Sequence, residues 1–122
     1  MISTYSKEGK VLTFKLTEEI DQHTADKIRR KVDDDIERFS PRKFIFDFSD
    51  ILFMDSSGIG MVLGRYKLVK LLGGQFEIIN VKKRLKRIFD MSGVSRIIPI
   101  QMDEEENNEG IIWQWDEIRI YK

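Results

Sequence analysis

Apolar positions along this chain switch between a period of two and a period near 3.6, and each switch marks an element. Val11 to Leu16 alternates Leu12, Phe14 and Leu16 against Val11, Thr13 and Lys15, the pattern of a half-buried strand. With Ile2 to Ser6 and the polar turn of Lys7 to Lys10 before it, this predicts an opening hairpin. Ala25, Ile28, Val32, Ile36 and Phe39 then recur at helical spacing, with Lys27, Arg30, Asp34 and Glu37 outward. Thr24 or Asp21 caps that helix, and Ser40-Pro41 ends it.

The short aromatic run Lys43 to Phe48 predicts a buried strand. Downstream, Ile59, Val62, Leu63, Tyr66 and Val69 form one stripe on a helix that closes at Gly73-Gly74. Gln75 to Asn80 reads as the next strand. Val81 to Met91 reads as a helix with Val81, Leu85, Ile88 and Phe89 inward, stopped by Ser92-Gly93. Ile97 to Ile100 predicts a final short strand, placed at a sheet edge because of Pro99. In the tail, Ile111, Trp115 and Ile118 fit one helical face, although alternation there also fits a strand. Trp113 and Trp115, if exposed, mark a contact surface.

Strands alternating with helices after a hairpin predict an α/β fold, a mixed sheet with helices packed on it. The length of 122 residues and 41% apolar content suit one domain, long enough to bury about two-thirds of its unfolded surface. The 21 basic and 21 acidic residues cancel, so net charge steers it toward neither nucleic acid nor a membrane surface. There is no cysteine for a disulfide or thiolate metal site and no apolar run of membrane-spanning length, and no signal peptide is expected. A cytoplasmic location is the default.

The chemistry concentrates at one strand-to-helix junction, Asp55-Ser56-Ser57-Gly58. Small side chains with an oxygen acceptor bond the N–H groups of a first helical turn, so the tetrad reads as an N-cap. It also reads as a phosphorylation site. A hydroxyl there is exposed, and free N–H groups and the positive helix end favour a phosphate.

Enzymatic readings fare poorly. Gly58, Gly60 and Gly64 have a G-x-G look, but the dinucleotide fingerprint needs its third glycine where Leu63 stands, and there is no phosphate-loop lysine motif. His23 is the lone histidine, which leaves no triad and no typical zinc site. Asp21, Asp47, Asp50 and Asp55 are candidates to gather around Mg²⁺, against the commoner role of solvated turn aspartates. The basic run Lys82, Lys83, Arg84, Lys86 and Arg87 lacks interleaved aromatic residues and reads as a solvated helix face.

Three blocks in order carry a family resemblance: EEIDQHTADKIR (Glu18 to Arg29), FMDSSGIGMVLGRYK (Phe53 to Lys67) and KRLKRIFDMSGV (Lys83 to Val94). Together they resemble the STAS family, and within it the anti-sigma factor antagonists of the sporulation type. Glu18 stands where that family usually has glycine, and the segment 103–122 is atypical. The resemblance implies a single STAS domain over 1–122, a β-sheet of about four to five strands with about four helices, and phosphorylation at Ser57. It implies a partner-switching cycle. An anti-sigma factor that is also a serine kinase binds the unphosphorylated form, frees its sigma factor and modifies Ser57, and a PP2C-type phosphatase reverses the step. The chain itself is then no enzyme and needs no cofactor, since ATP and the divalent metal belong to those partners. Asp21, Asp55, Ser56 and Gly58 are expected to shape the acceptor site. Gly60, Met61, Gly64, Arg65 and Leu68, off the predicted sheet-facing stripe, are expected to form a docking face, against the alternative that they pack beneath a neighbouring helix. The unbound chain is expected to be a monomer. The alternative is a STAS scaffold or nucleotide-sensing domain in another bacterial stress-signalling assembly.

Overall fold

The computed structural model describes residues 1–103. Its elements are β1 (Ile2–Ser6), β2 (Val11–Lys15), α1 (Gln22–Phe39), β3 (Lys43–Asp47), α2 (Ser56–Leu71), β4 (Gln75–Val81), α3 (Lys83–Ser92), a 3-10 turn at Val94–Arg96 and β5 (Ile100–Met102). The five strands form one sheet in sequence order, with β1 antiparallel to β2 and every later neighbour parallel. The α/β mixed sheet is therefore as expected. Three helices are seen; the expected tail helix and the exposure of Trp113 and Trp115 lie outside the described residues.

Register explains which face is buried. Leu12 pairs with Phe44 and Phe44 with Phe76, while Phe14, Phe46 and Ile78 form the next row. All six are buried, whereas the alternate rows of Val11, Thr13, Ile45 and Ile79 are only half-buried. Consecutive right-handed crossovers between neighbouring parallel strands place their helices on one side, and that is the side these rings occupy. Phe44 stacks on Phe76 with ring centroids 5.1 Å apart, and Phe46 meets Phe44, Phe48 and Phe76 edge-on. Such contacts add about 0.5–1.5 kcal/mol each to area burial.

Helix α1 buries Ala25, Ile28, Val32 and Ile36 as its period predicts, and Phe39 stacks on Tyr5 of β1 at 4.4 Å. It also buries Asp35, which a Lys31 ammonium one turn earlier neutralises at 2.9 Å. Two boundaries differ from the sequence reading. Val81 ends β4, so α3 starts two residues later, and β5 runs from Ile100 to Met102 because Val94 to Ile97 closes a 3-10 turn first. Pro99 accounts for the shift. It lacks an N–H, but its carbonyl accepts from Ile78 and leads the chain into β5.

Candidate functional site

Strands β2 and β3 are parallel, so the loops that leave them emerge at the same sheet edge. These loops run 16–21 and 48–55, and Ile20 and Met54 join them by an isolated parallel bridge. Both bridge residues are buried. One residue beyond each lies an aspartate that caps a helix, Asp21 for α1 and Asp55 for α2. The two helix starts thus sit side by side at the carboxyl edge of the sheet, where open α/β folds place their sites.

The caps work by different bonds. Asp21 Oδ1 accepts from the Thr24 N–H at 2.8 Å, and Thr24 Oγ1 accepts in turn from the Asp21 N–H at 2.8 Å, closing a capping box. Those Thr24 bonds, backbone first and side chain second, hold the Asp21 carboxyl below its ordinary pKa. Asp55 Oδ1 accepts from Ser57 N–H at 2.9 Å and Gly58 N–H at 3.2 Å, and its carbonyl accepts from Ile59. This changes one expectation. The first-turn N–H groups of Ser57 and Gly58 are engaged by Asp55, so a phosphate on Ser57 would stand next to a carboxylate instead of settling on those N–H groups.

Ser56 is exposed at the first position of α2 and Ser57 half-exposed at the second. Gly58 is buried against Met54 and Ile20, which ties the helix start to the loop bridge. The five residues assigned to a docking face separate. Gly60 is exposed, Gly64 and Leu68 are half-exposed, and a Cβ at either glycine would meet nothing within 4 Å. Met61 is 5% exposed and belongs to the core. Arg65 leans toward α1 with 11% of its side chain exposed, its Nε 2.7 Å from Asp33 Oδ1. That contact is coulombic, since neither atom finds hydrogen-bond alignment. Burial lowers the Arg65 pKa, Asp33 opposes the shift, and Arg29 adds to it. Helix α2 packs on both the sheet and α1, so its buried surface is wider than the predicted single stripe, of which Ile59, Leu63 and Tyr66 are only half-buried. Between α1 and α2 runs a groove of about 280 Å³ that reaches Ser57 and is lined by Gln22, Arg29 and Arg65 among others.

The four aspartates weighed as a Mg²⁺ cluster do not assemble into one. Asp47 accepts from Ser49 N–H and Asn80 Nδ2, Asp50 faces Lys15 at 3.8 Å, and Asp21 and Asp55 are caps. Among the described residues no group of three acidic or histidine side chains is placed to hold a metal, and no helix is long and apolar enough to cross a membrane. Sequence reasoning missed Glu19. Its carboxylate accepts from Leu52 N–H at 3.1 Å and Phe53 N–H at 3.3 Å, across 33 and 34 residues of chain. Only the need of consecutive loop amides for an acceptor hints at such a bond beforehand.

Comparison with known proteins places this geometry. The profile of the STAS domain matches residues 3–107. The anti-sigma F factor antagonist of Paenibacillus polymyxa is 39% identical over 94 residues, which cover 77% of this chain and 80% of that protein. The anti-sigma-B factor antagonist of Bacillus subtilis is 34% identical over 87 residues, covering 71% and 78%. Among solved structures, the anti-sigma factor antagonist SpoIIAA in its unphosphorylated form is 26% identical with a TM-score of 0.69, over 88% of this chain and 95% of that one. SpoIIAA of Bacillus in its phosphorylated form, also 26% identical, has a TM-score of 0.62 over 88% and 98%.

Proposed function

We propose, from the premise that this chain belongs to the STAS domain family and to the anti-sigma factor antagonists within it, that it is a phosphorylation-controlled switch in sigma factor regulation. The unphosphorylated form binds an anti-sigma factor that is also an ATP-dependent serine kinase, and so releases the sigma factor. Phosphorylation of Ser57 ends that binding, and a PP2C-type phosphatase using Mn²⁺ or Mg²⁺ restores it. The chain works by binding and contributes no catalytic residue of its own. It acts in the cytoplasm as a monomer when unbound.

The observation that carries this reading is the placement of Ser57, half-exposed in the first turn of α2 with its N–H on Asp55, in a chain whose relatives include one solved in both phosphorylation states. A phosphoryl group brings nearly two negative charges and three acceptor oxygens. Beside Asp55 it adds negative charge at a point the kinase must cover. Bulk, desolvation and repulsion then oppose the complex with no change of fold. Gly60, Gly64 and Leu68 extend the docking surface along α2, the glycines admitting a partner backbone closely. Met61 and Arg65 support that surface from beneath and beside it.

The test is intact-protein mass with site mapping after incubation with ATP and the anti-sigma kinase of the same organism. One added phosphate at Ser57, absent in Ser57→Ala, is the expected result. A phosphate on Ser56 instead, or none from a kinase active on another substrate, defeats the assignment.

A further inference from the structure

Residues Ile51 to Met54 turn their side chains in opposite directions. Ile51 and Met54 are buried, whereas Leu52 and Phe53 between them are 48% and 57% exposed. Two adjacent large apolar groups in water gain nothing for the isolated domain. Nor does the loop leave them there through slackness. Its near end is anchored by the Ile51 N–H on the Phe48 carbonyl, its far end by the Ile20 and Met54 bridge, and its middle by Glu19. Each Glu19 oxygen takes one amide, Oε1 that of Leu52 and Oε2 that of Phe53. Bonds from N–H to a carboxylate are stronger than neutral ones, and two of them to one rigid group fix orientation as well as position.

We infer that Glu19 is a positioning residue that holds Leu52 and Phe53 outward as a preformed apolar anchor, and that this anchor enters an apolar recess beside the phosphoryl-transfer site of the serine kinase. The inference rests on the Ser57 reading above and supplies its partner surface. The occupant follows from continuity along the chain. Phe53 lies four residues before Ser57, with the Asp55 cap between them, so a kinase that brings ATP to Ser57 covers this loop in the same encounter. Buried aromatic anchors in partner pockets carry much of the energy of such interfaces, and fixing them in advance removes the ordering cost.

The test uses the full chain in four forms besides wild type: Glu19→Ala, Glu19→Gln, the double variant Leu52→Ser/Phe53→Ser, and the triple combination with Glu19→Ala. Affinity for the anti-sigma kinase is measured by calorimetry without ATP, and KM and kcat for Ser57 phosphorylation by intact mass. The double variant is expected to weaken Kd and raise KM about tenfold, the loss of one anchor of ordinary strength, with kcat little changed. Glu19→Ala should do nearly the same while its circular dichroism stays native, and Glu19→Gln, keeping one acceptor oxygen, should fall between. Because Glu19 acts through the pair, the triple form should be no worse than the double. Wild-type Kd in the double variant overturns the anchor, and independent multiplication of the two effects overturns the positioning role. Binding that shows the expected pattern without any phosphorylation upholds the anchor and defeats only the Ser57 reading. A wild-type chain that neither binds nor is modified defeats both.

Discussion

Replacing Gly58 by alanine isolates the contact that ties the phosphorylation site to the sheet. Glycine in a helix interior is worse than alanine by about 1 kcal/mol, so propensity alone predicts that the change stabilises. Space at this position opposes it. A Cβ at residue 58 lands far inside van der Waals contact with Met54 Cγ, 2.5 Å from Met54 Sδ and 3.2 Å from Ile20 Cγ2. Met54 is 2% exposed, so its side chain can swing away only into the packed core around it. Overpacking of this kind costs about 1–3 kcal/mol. Gly60→Ala in the same helix meets nothing within 4 Å and supplies the control, because it keeps the propensity gain without the clash. The gap between the two variants then reads the packing cost directly, about 1–3 kcal/mol. Urea unfolding followed by circular dichroism separates them by about 1 M in midpoint at an ordinary m-value. Gly60→Ala should unfold later than wild type and Gly58→Ala earlier. A Gly58→Ala midpoint equal to that of Gly60→Ala would refute the claim that the helix start is locked onto Met54.

Gly60→Ala and Gly64→Ala, combined, should raise stability by about 1–2 kcal/mol yet weaken kinase affinity, since two methyl groups stand where a partner backbone is proposed to approach; calorimetry showing wild-type affinity removes that surface. Arg65→Glu sets two negative charges against each other where Nε now lies 2.7 Å from Asp33, and should destabilise by about 1–3 kcal/mol, discounted for partial exposure. Exchange of the two charges in Arg65→Glu/Asp33→Arg should recover part of that loss, and a denaturation cycle with no coupling contradicts the pairing. The Asp21 carboxyl has a folded-state pKa below its unfolded value, so its stabilising contribution is complete above the ordinary carboxylate range near pH 4 and is lost as pH falls through the lower folded value. Asp21→Asn should flatten that acid limb, and an NMR titration of Asp21 at an ordinary pKa would remove its cause.

How much the sequence reveals depends on whether an element's buried residues keep to one stripe. Helix α1 keeps its buried apolar residues to one stripe, so Ala25, Ile28, Val32 and Ile36 announce the buried face and Asp21 the start. Helix α2 packs against the sheet and against α1 together, so no single stripe describes it. Met61 therefore turns out to be core and Arg65 a partner of Asp33, both invisible to a period of 3.6. The caps at Asp21 and Asp55 were legible because capping is local chemistry. Their adjacency was not, since it depends on a parallel pairing of β2 with β3 and on the Ile20 to Met54 bridge. Glu19 belongs to the same class. Its bonds join two loops that share no periodicity, and only the folded chain brings them together.

A phosphate on Ser57 is proposed to turn binding off. The most direct measurement is the Kd of the unphosphorylated and Ser57-phosphorylated chains for the anti-sigma kinase, titrated under one set of conditions without ATP. A coupling of about 3 kcal/mol between modification and binding predicts a Kd at least a hundredfold weaker for the phosphorylated form. Equal Kd values for the two forms would contradict it.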